Sequence, residues 1–432
     1  MNQPLPANHS LRYHSRRKFL TVSTTTCGSL LFTAPIKLRA AQLGVVEETE
    51  HFWYRLAPTD SPWIDTQRGR RAFGYRAGKI FLSEDNARTW THTADFAEAE
   101  NIQFSCLLRN GKVVFATARQ IFIGSEDLST VRELTVLDRR GKNYLPHELS
   151  DDEKPGWYFY SLDGIHTFDV QGREILIWGN YANVSTGPVP ANIYYSADGG
   201  ETIKIAYAFG QNPAFQRKNA TPENWLGDRE NPVVCRHIHS VSYNAQEDAF
   251  YACTGDLDRK LGIGLECHWL RGTWDADRDL WDWRVLVSSD ANSRFKSGGI
   301  NCVGGQIYWV ADANGPKSAL ETYDRGIFRC DPIDLTNKLK HTLLYPVAFE
   351  MAAMTIHGNS IVAPKYGNAD PDECGILFSP DLGKTWGHYD LKELGDRSGV
   401  RVNPPNEEGW FRIQLMRGWV NRGEVLFLKA KA

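Results

Sequence analysis

"FSPDLGKTWGHYDL", residues 378–391, places Ser379, Asp381, Gly383, Thr385 and Trp386 at the spacing S-x-D-x-G-x-T-W. Ser and Asp side chains accept hydrogen bonds from the N–H groups of a tight turn, and Gly supplies the positive φ that a side chain resists. A tryptophan after such a turn is placed to bury itself between sheets. The stretch holds no base, nucleophile or metal geometry, so it is expected to be a structural hairpin.

The pattern recurs. "LSEDNARTWTH" repeats it with Ser83, Asp85, Thr89 and Trp90, carrying Ala87 where Gly is expected, and "YSADGGETIK" with Ser196, Asp198, Gly200 and Thr202, carrying Ile203 in place of Trp. "YSLDGIHTF" reads as a decayed copy (Ser161, Asp163, Thr167, Phe168), and "GSEDLSTV" as a fainter one (Ser125, Asp127). Between the copies run short alternating or apolar segments such as "EILIWGNY", "DAFYACTGD", "GQIYWVAD" and "CGILFSP". No stretch keeps a helical period, and turn residues punctuate the chain as in an all-β repeat protein.

These residues resemble the BNR or Asp-box repeat propellers of the sialidase superfamily over most of residues 50–430. The resemblance implies an all-β fold, a single β-propeller of four-stranded antiparallel sheets, and leaves the reaction open. Seven blades are expected, near 50–95, 101–137, 158–209, 237–289, 298–346 and 350–390, with a last one at 411–430 closed by an N-terminal strand; six is the alternative count.

The N-terminus reads differently. "YHSRRKFLTVSTTTCGSLLFTAP" sets Arg16, Arg17 and Lys18 before Phe19 and Leu20 and a mildly apolar stretch. It looks like a twin-arginine export signal, which implies the twin-arginine translocation machinery as a partner and a periplasmic or secreted product. Residues 1–41 are expected to be signal and 42–432 propeller, with no membrane anchor once the signal is removed. Residues 1–41 carry six basic and no acidic side chains, so the remainder holds 43 basic against 52 acidic, a net charge of −9. Such a body is a poor general binder of nucleic acid, which needs a concentrated basic face. Seven cysteines remain beyond Cys27, an odd number in a chain folded in a reducing compartment, so free buried thiols are expected. Cys267–His268 lacks a C-x-x-C partner, and no metal ligand set is read from the sequence. No cofactor is required, and a structural or catalytic divalent metal stays open.

If each Ser–Asp turn joins the third and fourth strands of its blade, all of them lie on one rim. Ligands then belong on the other, where blade-to-blade and second-to-third-strand connections open. Segments assigned to that side are long and rich in Arg, Lys, Asn, Tyr, Trp and Asp, a composition suited to sugars. "CRHIHSVSYN" is the sharpest of them: the spacing of His237 and His239 turns both imidazoles to one face of a strand, beside Arg236. One of them bracing neighbouring blades is the alternative. Asn180, Tyr181, Asp256 and Arg259 are placed at a similar height, and Lys296, Lys365, Tyr366, Arg397 and Arg401 complete a candidate cationic rim.

Together these groups suggest an acidic oligo- or polysaccharide as ligand. A sialidase-like hydrolase needs arginines on the carboxylate and a Tyr/Glu pair; the nearest echo of its first arginine is Arg55 in "YRLAP", and no Tyr/Glu pair is evident. β-Elimination at a uronic acid needs a cation on the C6 carboxylate, a base for the C5 proton and an acid for the departing oxygen. Arg236 or Arg397, His237 or His239, and Tyr181 fit those roles, in the manner of propeller-type polysaccharide lyases. The expected catalytic set is therefore His237, His239, Tyr181, Arg236 and Arg397. Asn180, Asp256, Arg259, Lys296, Lys365, Tyr366 and Arg401 are the expected binding set. A non-catalytic binding or scaffold propeller is the competing class.

Overall fold

A computed structural model of the chain describes residues 36–37, 45–57, 61–97, 99, 102–117, 120–137, 143–144, 159, 161–181, 191–210, 227–228, 230–255, 265, 267–291, 293–313, 324–347, 351, 353–364, 375–391, 398–416 and 425–431. Residues 35–432 form one compact unit. Its strands build seven sheets, each the blade of a β-propeller. Blades 1 to 6 span 63–95, 104–133, 166–208, 237–289, 297–346 and 355–390. Blade 7 takes Ser398–Asn403, Trp410–Met416 and Val425–Ala430 from the C-terminal end and its outer strand, Phe52–Leu56, from the other end of the chain.

Closure is visible in the packing. Seven apolar clusters are found among the described residues, one at each junction between consecutive blades, including that between blades 7 and 1. A ring of seven sheets has seven such junctions, and the alternative count of six is thereby excluded. Phe52–Leu56 pairs antiparallel with Leu426–Ala430 as the N-terminal strand expected to close the last blade, so the first blade begins at Trp63 rather than at residue 50. Phe52, fully buried, sits 4.4 Å from Tyr389 and 5.1 Å from Phe378 between ring centroids, so its side chain locks blade 7 onto blade 6. Burying a phenylalanine stabilises by about 2–3 kcal/mol, and here that energy falls on the seam where the circle is sealed. The last blade also begins at residue 398 rather than 411.

Four sheets have four strands, and short strands extend the other three. Val136–Leu137 and Asn143–Tyr144 add to blade 3, Glu47–Glu48 to blade 7, and Ile36–Lys37 pairs in parallel with Tyr389–Asp390 at the edge of blade 6. The last pair lies within the segment expected to be an export signal; residues 1–35 lie outside the described residues. Among the described residues no helix is long and apolar enough to cross a membrane.

The Ser–Asp turns join third to fourth strands in blades 1, 3 and 6, and the faint copy at Ser125 does so in blade 2. In the stretch at 378–391, Ser379 Oγ accepts from Gly383 N at 2.7 Å, and Asp381 accepts from Lys384 N, Thr385 N and Thr385 Oγ1 at 2.8–3.0 Å. Trp386 packs against Tyr345 of blade 5, with ring centroids 5.2 Å apart. Gly383 takes φ +88°, and Ala87 is forced to φ +60° at the equivalent place. A left-handed alanine costs about 1–2 kcal/mol, but the methyl of Ala87 joins the cluster between blades 7 and 1, and burying one methyl returns about 0.8 kcal/mol. The buried methyl thus offsets part of the strain at this position.

"YSLDGIHTF" does not fit this scheme. Ser161 and Asp163 precede the inner strand of blade 3, His166–Val170, and so lie on the rim opposite the turns. Their sequence likeness to the turns reflects a shared use of Ser and Asp, whereas their position is that of a blade-to-blade connection.

Candidate functional site

Three of the elements ending on the rim opposite the turns converge where blades 3, 4 and 5 meet. The second strand of blade 3 ends at Gly179 and delivers Asn180 and Tyr181; the inner strand of blade 4 starts at His237; the second strand of blade 5 ends at Ala311 and delivers Asp312. The two rims are therefore unlike, as the turn spacing implies.

Blade 4's inner strand pairs His237 with Gly255 and Ile238 with Thr254, then skips a residue so that Ser240 faces Cys253. His239 is the residue of the bulge, a device that re-aims a side chain next to functional sites. Its ring lies over Gly255, where a Cβ would come within 2.2 Å of Cε1, so only glycine fits beneath it. Tyr181 stacks on His237 with centroids 3.7 Å apart at 17°, and His237 and His239 lie 5.1 Å apart. The result is an aromatic stack running from half-exposed Tyr181 down to two imidazoles that are each 1% exposed.

His239 Nδ1 is 3.0 Å from the carbonyl oxygen of Ser297, at the start of blade 5. A carbonyl only accepts, so Nδ1 carries the proton and the neutral ring has its lone pair on Nε2. The same oxygen accepts from Cys253 Sγ at 2.9 Å, and burial pushes that thiol up, the bond to Ser297 only partly offsetting it. Cys253 is thus a protonated structural group rather than a nucleophile. Asp312 Oδ2 lies 3.8 Å from His239 Nδ1 and 3.0 Å from Lys296 Nζ, all three side chains being buried.

Several expected contacts turn out to be interior. Asn180 accepts from Asn192 N through Oδ1 at 2.7 Å and from Ile238 N through its carbonyl at 3.0 Å, tying blade 3 to blade 4 with no exposed surface. Arg401, on the inner strand of blade 7, donates to the carbonyls of Ser161 at 2.6 Å and Leu162 at 3.4 Å and is 3% exposed. Lys296 is 3% exposed beside Asp312. These three lie below the surface at which a ligand would arrive. Arg236, the residue before the inner strand of blade 4, is half-buried. Asp256, Arg259, Lys365, Tyr366 and Arg397 lie outside the described residues.

Arg55, the echo of a sialidase arginine, sits on the outermost main strand of blade 7, its guanidinium 4.2 Å from the centroid of Phe427 and 5.4 Å from that of Trp410. That places it at the circumference, away from the stack. Among the described residues no three His, Cys, Asp or Glu side chains gather to hold a metal. His268 bonds Ser288 Oγ and the Val234 carbonyl, and burial pushes its pKa down, with the carbonyl partly opposing. The six described cysteines are free thiols.

Sequence reasoning missed Asp312 and Asp163. The first follows "QIYWVA" directly, and the end of a second strand on the ligand-facing rim was the available signal. Asp163 was hidden by its likeness to a turn. Its Oδ2 accepts from Ser240 Oγ at 2.6 Å and lies 3.3 Å from His166 Nε2.

No protein-family model matches the chain, and no curated protein matches it in sequence. Solved structures similar in fold include YCF48 bound to D1 peptide, 11% identical, with 93% of this chain and 100% of that one covered at a TM-score of 0.46. A catalytically inactive virginiamycin B lyase from Staphylococcus aureus with quinupristin is 10% identical, with 88% and 99% covered at 0.49. YCF48 from Cyanidioschyzon merolae is 12% identical, with 87% and 98% covered at 0.44. These likenesses concern the propeller fold alone.

Proposed function

We propose that the rim opposite the Ser–Asp turns binds an acidic, uronate-containing glycan and cleaves it by β-elimination. The observation that carries this reading is the stack of Tyr181 on His237 and His239 at the meeting of three blades, with Arg236 the residue that precedes His237 in the chain. Arg236 neutralises the C6 carboxylate and so acidifies the C5 proton. His237 takes that proton; its electron pair forms the C4–C5 double bond as the C4–O bond breaks, and Tyr181 protonates the departing oxygen. Because both imidazoles are almost fully buried, substrate meets Tyr181 first, and its ring must turn aside before His237 can act. The twin-arginine pattern at Arg16–Arg17 makes export to the periplasm or medium part of the same proposal.

A second reading is favoured by one specific observation. Lys296, Arg401 and Asn180 are engaged in internal contacts, which leaves fewer groups for chemistry than the sequence suggests and suits a propeller that binds glycan without cleaving it. Incubating the purified protein with a panel of acidic oligosaccharides separates the cases. Elimination yields ultraviolet-absorbing unsaturated ends together with new reducing ends. Hydrolysis yields reducing ends alone, as a sialidase-like enzyme would, and binding without turnover yields neither.

A further inference from the structure

The Ser–Asp turns of blades 1, 2 and 6 each place a residue in the left-handed region directly after the aspartate: Asn86 at φ +63°, Leu128 at +51° and Leu382 at +56°. Leu128 and Leu382 pack into the apolar clusters between blades 1 and 2 and between blades 5 and 6. Asn86 is only 6% exposed, yet its Oδ1 has no hydrogen-bond partner among the described residues. Leucine serves the same position twice, so the turn does not call for an amide there, and a buried acceptor without a donor is unfavourable. Asn86 lines a cavity of about 280 Å³ on the turn rim, together with Arg70, Asp85 and Arg88 from blade 1 and Glu407 and Glu408 from blade 7. The links that carry these residues meet at their backbones, where Glu407 N donates to the Gly69 carbonyl at 3.0 Å.

Three of the six lining residues are already engaged. Asp85 accepts from Ser83 Oγ, Arg88 N and Thr89 N through Oδ1 and from Thr89 Oγ1 through Oδ2, and Arg88 pairs with Glu408 at 2.7 Å. The Arg70 guanidinium and the Glu407 carboxylate, by contrast, make no hydrogen bond or ion pair among the described residues, although they line the same cavity and carry opposite charge. What remains is one cation, one anion and one buried acceptor around a single space. We propose that this cavity binds a small zwitterion, of which a free α-amino acid is the simplest, its ammonium donating to Asn86 Oδ1 and Glu407 and its carboxylate held by Arg70. A ligand of either single charge satisfies only half of the lining. The site lies on the rim opposite Tyr181 and the histidines, so it does not rest on the proposed glycan reaction, and an acidic oligosaccharide is not its ligand.

Isothermal titration of the full-length protein with glycine, alanine, leucine, glutamate and lysine as free amino acids, and with propylamine and acetate as carriers of one charge each, tests the proposal. At least one amino acid is expected to bind saturably with one site per chain, and propylamine and acetate at least about tenfold more weakly, since each forfeits a charge-assisted contact. Asn86→Leu, which installs the residue found at this position in blades 2 and 6, is expected to weaken that amino acid about tenfold or more by removing the acceptor and filling the space. Arg70→Gln and Glu407→Gln change exposed side chains and leave the fold alone, so they decide the matter if Asn86→Leu does not fold; each is expected to weaken binding about tenfold. The proposal is overturned if no amino acid in the panel binds at millimolar concentration, if propylamine or acetate binds as tightly as the best amino acid, or if the variants that fold keep the wild-type affinity.

Discussion

Arg401 Nη2 donates to the carbonyl oxygen of Ser161 at 2.6 Å, joining the inner strand of blade 7 to the segment before blade 3. Blades 7 and 3 are not neighbours, so the bond reaches across the axis of the disc. Asp163 in the same segment binds Ser240 of blade 4, and Ser240 Oγ also accepts from Ile300 N of blade 5 at 3.1 Å. Residues 161–165 are buried throughout and so fill the channel between facing blades.

Replacing Arg401 by methionine keeps much of the side-chain volume and removes the donors, leaving two buried carbonyls without them. An unsatisfied buried acceptor costs about 1–3 kcal/mol, so the urea midpoint of Arg401→Met is expected to fall accordingly. An unchanged midpoint would show that the channel segment is held by other contacts.

Asp381→Ala removes the acceptor for four hydrogen bonds within one turn, from Ser379 Oγ, Lys384 N, Thr385 N and Thr385 Oγ1. A loss of about 1–2 kcal/mol is expected in chemical denaturation, with binding or turnover per folded molecule unchanged. A kinetic defect at full stability would mean that the turn rim takes part in function.

Acid sensitivity follows from the same turns. Burial opposes ionisation of Asp85, but hydrogen bonds from Thr89, Ser83 and Arg88 outweigh it and hold the carboxyl at about 2. The unfolded value is about 3.9, so the folded pKa is depressed. The stabilisation is present above about pH 4 and is lost as pH falls through about 2. Denaturation midpoints of the wild type and Asp85→Asn should therefore differ at pH 5 and converge as the pH approaches 2. A constant gap over that range would contradict the assignment.

The fold was legible because the residues that specify it are local. Ser379, Asp381, Gly383 and Thr385 bond within seven positions of one another, and such a turn announces itself in sequence. The site was legible only in part. His237 and His239 share a face at i, i+2, which is again a local fact, although the bulge at His239 is not. Lys296 and Arg401 look like surface cations in sequence because their partners, Asp312 and the Ser161 carbonyl, are brought to them by the ring. Asp163 was misread for the complementary reason: the Ser-x-Asp pattern suits a turn, and only topology tells which rim it occupies.

The division of the disc into a rim of turns and a rim that meets ligand is tested most directly by hydrogen–deuterium exchange, with and without an acidic oligosaccharide taken from the panel. Ligand-dependent protection is expected at the ends of strands around Asn180–Tyr181, Arg236–Ser240 and Lys296–Ser297, with the turns at 83–89, 196–202 and 379–386 unaffected. Protection confined to those turns, or to the outer strands of the blades, would contradict the account.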